Sequence, residues 1–172
     1  MGLSVALLWP CLAYATKLPL RQNTPPMSTT ILDKDGKPLS LNEFRGMPVL
    51  INFWATWCPP CVAELPALDR ASDKLAGDVK ILLISVDRGG SKKALPFLQD
   101  RSIARPHFAF DANGALSREM AVLGLPTSFL VTADQRHCWV YQGPREWDDV
   151  AMIAELRRLL EGHRSLNMPS SF

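Results

Sequence analysis

Two cysteines spaced by two residues carry the chemistry most readily read from this chain. Trp57-Cys58-Pro59-Pro60-Cys61 stands where a long apolar run gives way to a helical pattern. That spacing brings both sulfurs within bonding distance across the first turn of a helix. A cysteine at a helix N-terminus meets the positive end of the macrodipole, which favours thiolate over thiol. Such positions lower a cysteine pKa from ~8.5 into the range of roughly 3.5–7.5. Cys58, held ionisable and open to solvent, is the expected nucleophile of thiol–disulfide exchange, and Cys61 the shielded resolving thiol. Pro59 suits the first helical position, where its missing N–H costs nothing. Neither Pro59 nor Pro60 can donate a hydrogen bond to the Cys58 sulfur, so the nearest local amide is that of Cys61. This predicts a Cys58 pKa in the upper part of the lowered range and a comparatively reducing couple.

Other uses of a close cysteine pair weigh less. Zinc needs four ligands, and His107, His137, Cys138 and His163 show no paired spacing, so no metal is expected and the histidines read as structural or exposed. A purely structural bridge between such near neighbours closes a tiny loop and stabilises little. A copper-handling chaperone using both sulfurs as soft ligands is the alternative function, although no third His or Met sits in the motif.

Further candidates flank the dithiol. Trp57 is expected as an apolar docking surface beside the sulfur, whereas Trp54 reads as core. Gly124-Leu125-Pro126-Thr127 offers an X–Pro bond that can go cis, leaving the Leu125 backbone free to pair with an extended substrate. Glu64, on the same helix as the cysteines, and Asp87, at a strand end, are candidate tuners of the couple. By default the first is a solvated helical glutamate and the second a surface carboxylate.

The elements that must position these groups follow from pattern. Thr29 to Leu32 and Leu39 to Leu41 flank an Asp33-Lys34-Asp35-Gly36 turn, a short hairpin. Asn42 or Ser40 is the expected cap of a one-turn helix ending at Gly46, and Ser40-x-x-Glu43 has capping-box spacing. Val49 to Trp54 and Val79 to Val86 are continuous apolar runs, as in strands covered on both faces. A helix is predicted from Pro59 to Leu75, lacking one backbone bond at Pro66. Another is predicted from Ser91, as its cap, to Arg101. Then come a strand at His107 to Phe110, a helix from Leu116 to Leu123, and a hairpin of Thr127 to Thr132 with Cys138 to Tyr141. Trp147, Val150, Ile153, Leu156 and Leu160 recur at helical spacing, with Gly162 as the stop. This order gives one α/β domain with helices on both faces of a sheet.

Several motifs now agree. Asn52-Phe53-Trp54-Ala55-Thr56-Trp57-Cys58-Pro59-Pro60-Cys61, with Glu64-Leu65-Pro66 after it, resembles the active-site segment of the TlpA/ResA/CcmG-like thiol-disulfide oxidoreductases. These are bacterial, extracytoplasmic members of the thioredoxin superfamily. Leu41-Asn42-Glu43-Phe44-Arg45-Gly46 and the hairpin before it resemble that family's N-terminal extension. Leu125-Pro126-Thr127 resembles its cis-proline loop, and Gly143-Pro144-x-Glu146-Trp147 its TlpA branch. The resemblance covers roughly residues 28–161. It implies a thioredoxin-like fold with an N-terminal β-hairpin extension and a central insertion of a helix and a strand, about Ser91 to Phe110. It also implies the reductive direction, with electrons from a membrane thiol carrier. The implied targets are disulfide proteins of cytochrome c maturation, such as apocytochrome c, or of oxidase copper-site assembly. No cofactor is implied. Thioredoxin itself has a buried aspartate where this chain has Asn52, so base assistance to Cys61 must come from elsewhere or from water. Some relatives carry a glutamate at the start of the insertion, where this chain has Asp87-Arg88-Gly89-Gly90.

Composition sets the frame. The 172 residues are 47% hydrophobic and 21% charged, too apolar for disorder. A formal net charge of +2 with scattered basic residues gives no pull toward nucleic acid, and a monomer is expected. Met1 to Ala15 carries no charged side chain and ends in Ala13-Tyr14-Ala15, which reads as a signal peptide cut after Ala15. Residues 16–27 read as a linker, 28–162 as the domain and 163–172 as a flexible tail. The mature protein is then expected to be soluble, exported and placed where thiols meet oxidant. Cys138 would be left as a buried free thiol, with Cys11 its partner only if the leader is retained.

Overall fold

The computed structural model describes residues 20–166. The leader, Cys11 and the last residues of the expected tail lie outside them. The core is an eight-stranded mixed sheet in the order β1-β8-β7-β4-β5-β6-β2-β3. Its central strands are β4 (Val49–Trp54) and β5 (Lys80–Ser85), paired in parallel, with β6 (His107–Phe110) parallel beyond β5. β7 (Thr127–Val131) runs antiparallel to β4, and β8 (His137–Gln142) antiparallel to β7. β2 (Ile31–Asp33) and β3 (Pro38–Leu39) form the expected hairpin and close the β6 edge.

Because β4 is covered on both faces, its residues sort by parity. Leu50 and Trp54 join the apolar cluster built on α1 (Pro59–Lys74), α2 (Ser91–Gln99) and α4 (Val150–Leu166). Val49, Ile51 and Phe53 join the opposite cluster, with Leu41 and Phe44 of a single 3₁₀ turn and Leu116 of α3 (Ala115–Glu119). The 3₁₀ turn is held by the capping box read from Ser40 and Glu43. Asn52, of the same parity as Leu50, therefore faces α1. This is the thioredoxin-like α/β architecture that the resemblance implied, with helix and strand inserted at α2 and β6.

Local expectations fail where tertiary pairing decides. Leu20–Asn23, inside the expected linker, is β1 and pairs with β8 from Leu20↔Val140 to Asn23↔His137. Ser91 does not cap α2; Gly90 does, at φ +54, with no side-chain cap. A Cβ at the neighbouring Gly89 would lie 2.9 Å from Lys93 Cβ, so the turn needs both glycines. α3 stops at Glu119 rather than Leu123, and α4 runs through Gly162 to Leu166. Trp147 lies before α4, fully buried against Tyr141, while Val150 is 81% exposed rather than core.

Candidate active site

β4 ends at Trp54, and the chain turns through Ala55-Thr56-Trp57 into α1 with Cys58 as N-cap. Cys58 N donates to Ala55 O at 3.2 Å, and Val62 N to Cys58 O at 3.0 Å, which fixes the cysteine at the helix mouth. Cys58 and Cys61 are joined, with S–S 2.07 Å and Cα–Cα 5.3 Å. Cys61 N donates to Cys58 Sγ at 3.4 Å, the amide left once two prolines stand between. The expected openness of Cys58 needs correction: it is 5% exposed and Cys61 fully buried. Joined to Cys61, the sulfur lies within the apolar cluster of Trp54, Ala55 and Leu65. Trp57, by contrast, is 62% exposed, and Pro59 and Pro60 are exposed beside it.

Glu64 is not the solvated glutamate expected by default. It is 3% exposed, because it falls on the buried stripe of α1 with Cys61, Leu65 and Leu68. Its carboxylate accepts from Asn52 Nδ2 at 2.7 Å, Trp147 Nε1 at 2.9 Å and Arg145 N at 3.0 Å. Burial pushes its pKa up to about 7, and these donors offset only part of that rise. Asn52 Nδ2 also donates to Ser128 Oγ at 2.9 Å, tying β4 to β7. Asn52, Ser128, Arg145 and Trp147 were not among the expected site residues. The helical period that places Glu64 beside Leu65 is the signal that finds the first link.

Asp87 is not on the surface either; its side chain is fully buried. It accepts from Thr56 N at 2.8 Å, Thr56 Oγ1 at 2.7 Å and Ser85 Oγ at 3.0 Å, and pairs with Lys93 at 3.1 Å. Burial alone would raise its pKa, but these partners outweigh it and hold the carboxyl below its ordinary value. Asp87 thus anchors the residue just before Trp57.

The Leu125–Pro126 bond is cis. The register Phe53↔Thr127 brings this loop alongside the end of β4, and Leu125 packs on the cluster containing both cysteines. Thr127 Oγ1 donates to Gly124 O at 2.7 Å, and Gly143 N to Pro126 O at 2.9 Å, holding the loop on both sides. Leu123, just before it, is 90% exposed. Cys138 is fully buried and bonded to no other described cysteine, and burial raises its thiol pKa to about 11. Two histidines that lack sequence spacing, His137 and His163, meet with Asp134 in a separate cluster.

Residues 20–160 match the family described as Redoxin. Over 105 residues the chain is 32% identical to a thiol-disulfide oxidoreductase ResA of Bacillus thuringiensis subsp. konkukian, covering 60% of each chain. It is 35% identical over 105 residues to a thiol:disulfide interchange protein DsbE of Vibrio cholerae, covering 60% of this chain and 54% of that one. The chain thus spans about 54–60% of the length of these curated relatives. A crystal structure of a thiol:disulfide interchange protein, a thioredoxin family protein from Chlorobium tepidum, superposes with TM-score 0.64 at 25% identity, over 81% of this chain and 97% of that one.

Proposed function

We propose that this chain, which belongs to the Redoxin family, is a thiol-disulfide oxidoreductase that reduces protein disulfides outside the cytoplasm. The observation that carries this reading is the Cys58–Cys61 pair at the mouth of α1, with an exposed tryptophan beside it. In the reduced protein the Cys58 thiolate attacks one sulfur of a target disulfide, and the other target sulfur leaves as thiolate. The Cys61 thiolate then attacks Cys58 Sγ, the mixed disulfide breaks, and the target departs as a dithiol. Two electrons pass to the target, and the Cys58–Cys61 bond is what remains. Asn52 cannot accept the Cys61 proton. We assign that base role to Glu64, one turn on along the same buried stripe and titrating near neutrality. Trp57 and the Leu125-Pro126-Thr127 loop supply the docking surface, the loop by strand-like backbone pairing.

The finer reading follows the resemblance. The target is a disulfide protein of cytochrome c maturation or oxidase copper-site assembly, the electron donor a membrane thiol carrier, and the working unit a monomer. Export rests on the uncharged stretch ending in Ala13-Tyr14-Ala15. No helix among the described residues is long and apolar enough to cross a membrane.

Insulin reduction with dithiothreitol tests the activity: wild type accelerates precipitation and Cys58→Ser abolishes the acceleration. Equal rates would sink the reading. Cys61→Ser traps a target as a mixed disulfide, and the captured protein names the pathway. The reductive direction requires a potential near thioredoxin's ~−270 mV; a value near DsbA's ~−120 mV reverses it. Thiolate absorbance should rise in the upper part of the range of roughly 3.5–7.5, since one backbone amide reaches the Cys58 sulfur.

A further inference from the structure

At the far end of the sheet from the dithiol, we propose that Asp134, His137 and His163 form a binding site for a divalent transition-metal ion of the zinc class. Asp134 lies in the turn between β7 and β8, His137 opens β8, and His163 lies near the end of α4. One ligand atom from each can be chosen so that all lie within 4.8 Å of one another. His163 Nε2 is 3.8 Å from Asp134 Oδ2, and the two imidazole centroids are 5.0 Å apart, tilted by 56°.

The cluster has the support that ligands need. Asp134 Oδ1 is committed to Thr132 Oγ1 at 2.6 Å and Arg136 N at 3.0 Å, which leaves Oδ2 toward His163. His163 is 8% exposed, and Trp139 packs against its ring edge-on at 6.2 Å. His137 Nδ1 is buried without a hydrogen-bond partner among the described residues. Such fixing of ring and carboxylate is what holds metal ligands in place. Tetrahedral zinc, with bonds of ~2.0–2.2 Å, sets its ligand atoms roughly 3.3–3.5 Å apart. Closing the cluster onto an ion therefore takes up to about 1.5 Å of contraction, which the half-exposed Asp134 turn can deliver. Two imidazoles and one carboxylate suit zinc, copper or nickel and not magnesium or calcium, and leave a fourth position open.

β7 starts at Thr127 beside the cis-proline loop, and the chain reaches Thr132 beside His137 five residues on. At the rise of a strand that separates the two sites by roughly 17 Å. The ion therefore takes no part in exchange. It would fasten the β7–β8 turn to the C-terminal helix, and the inference is independent of the redox reading.

The test uses untagged, oxidised full-length protein, so that the dithiol offers no competing ligands. Titration calorimetry with Zn²⁺ should give one ion per chain, with a higher Tm in its presence and no response to Mg²⁺. Asp134→Asn and His137→Gln should each weaken binding about tenfold or more. His163→Gln should do the same; if it fails to fold, the two more exposed positions decide. No heat at millimolar Zn²⁺, or binding unchanged in both Asp134→Asn and His137→Gln, overturns the site and leaves an Asp134–His163 ion pair.

Discussion

At position 64 burial and hydrogen bonding pull in opposite directions, and burial wins. A carboxyl whose folded pKa of about 7 exceeds its ordinary 4.5 contributes stability that is fully present below 4.5 and is lost as pH rises through 7. The oxidised protein should therefore lose about 3 kcal/mol of unfolding free energy between about pH 4.5 and 8, beyond the trend shown by Glu64→Gln. The variant starts lower at acid pH, because its amide nitrogen cannot accept and one of Asn52, Trp147 and Arg145 loses its acceptor. Parallel pH profiles from chemical denaturation would remove Glu64 from the proton chemistry. Asp87 works the other way: its carboxylate is matched by donors, so Asp87→Asn should cost about 2–4 kcal/mol. It should also slow insulin reduction by loosening Thr56 and hence Trp57. Unchanged turnover in a folded Asp87→Asn would leave the residue purely structural. Both carboxylates were legible as candidates near the dithiol, but not as buried. Nothing local in the sequence announces that Trp147 and Lys93 arrive to meet them.

Among the elements, those with strong periodicity or an apolar run were read correctly: the central strands, α1, the capped 3₁₀ turn and the terminal hairpin. Missed features depend on partners distant in the chain. β1 is polar in sequence, Leu20-Arg21-Gln22-Asn23, and becomes a strand because β8 offers it an open edge. Its removal has a specific consequence. A truncation lacking residues 1–24 should expose β8 as an edge, lower Tm and promote association on warming. It should also admit iodoacetamide to Cys138, which in the intact native protein stays unlabelled because its thiol is buried and its pKa raised to about 11. Peptide mass mapping reads the label; equal protection in both forms would show that β1 does not shield the thiol. The Asp134–His137–His163 cluster was illegible for the same reason, since the turn and the helix that build it are far apart in sequence.

Across the whole molecule, charge is nearly balanced at +2, and the residues exposed immediately around the cysteines, Trp57, Pro59 and Pro60, are uncharged. Encounter with a protein substrate should then depend little on ionic strength. Insulin turnover should change by less than about twofold between low and physiological salt, and a steep salt dependence would point to charged docking instead. The topology has a further bearing on synthesis. One sheet edge is closed by β1, which pairs with the late strand β8, and the other by the β2-β3 hairpin, whose β2 pairs with β6. A chain emerging N-terminus first holds β1 without its partner until β8 (His137–Gln142) follows, while the β2-β3 hairpin waits only for β6 (His107–Phe110). The β1 edge of the sheet is therefore completed later in synthesis than its β4-β5-β6 centre.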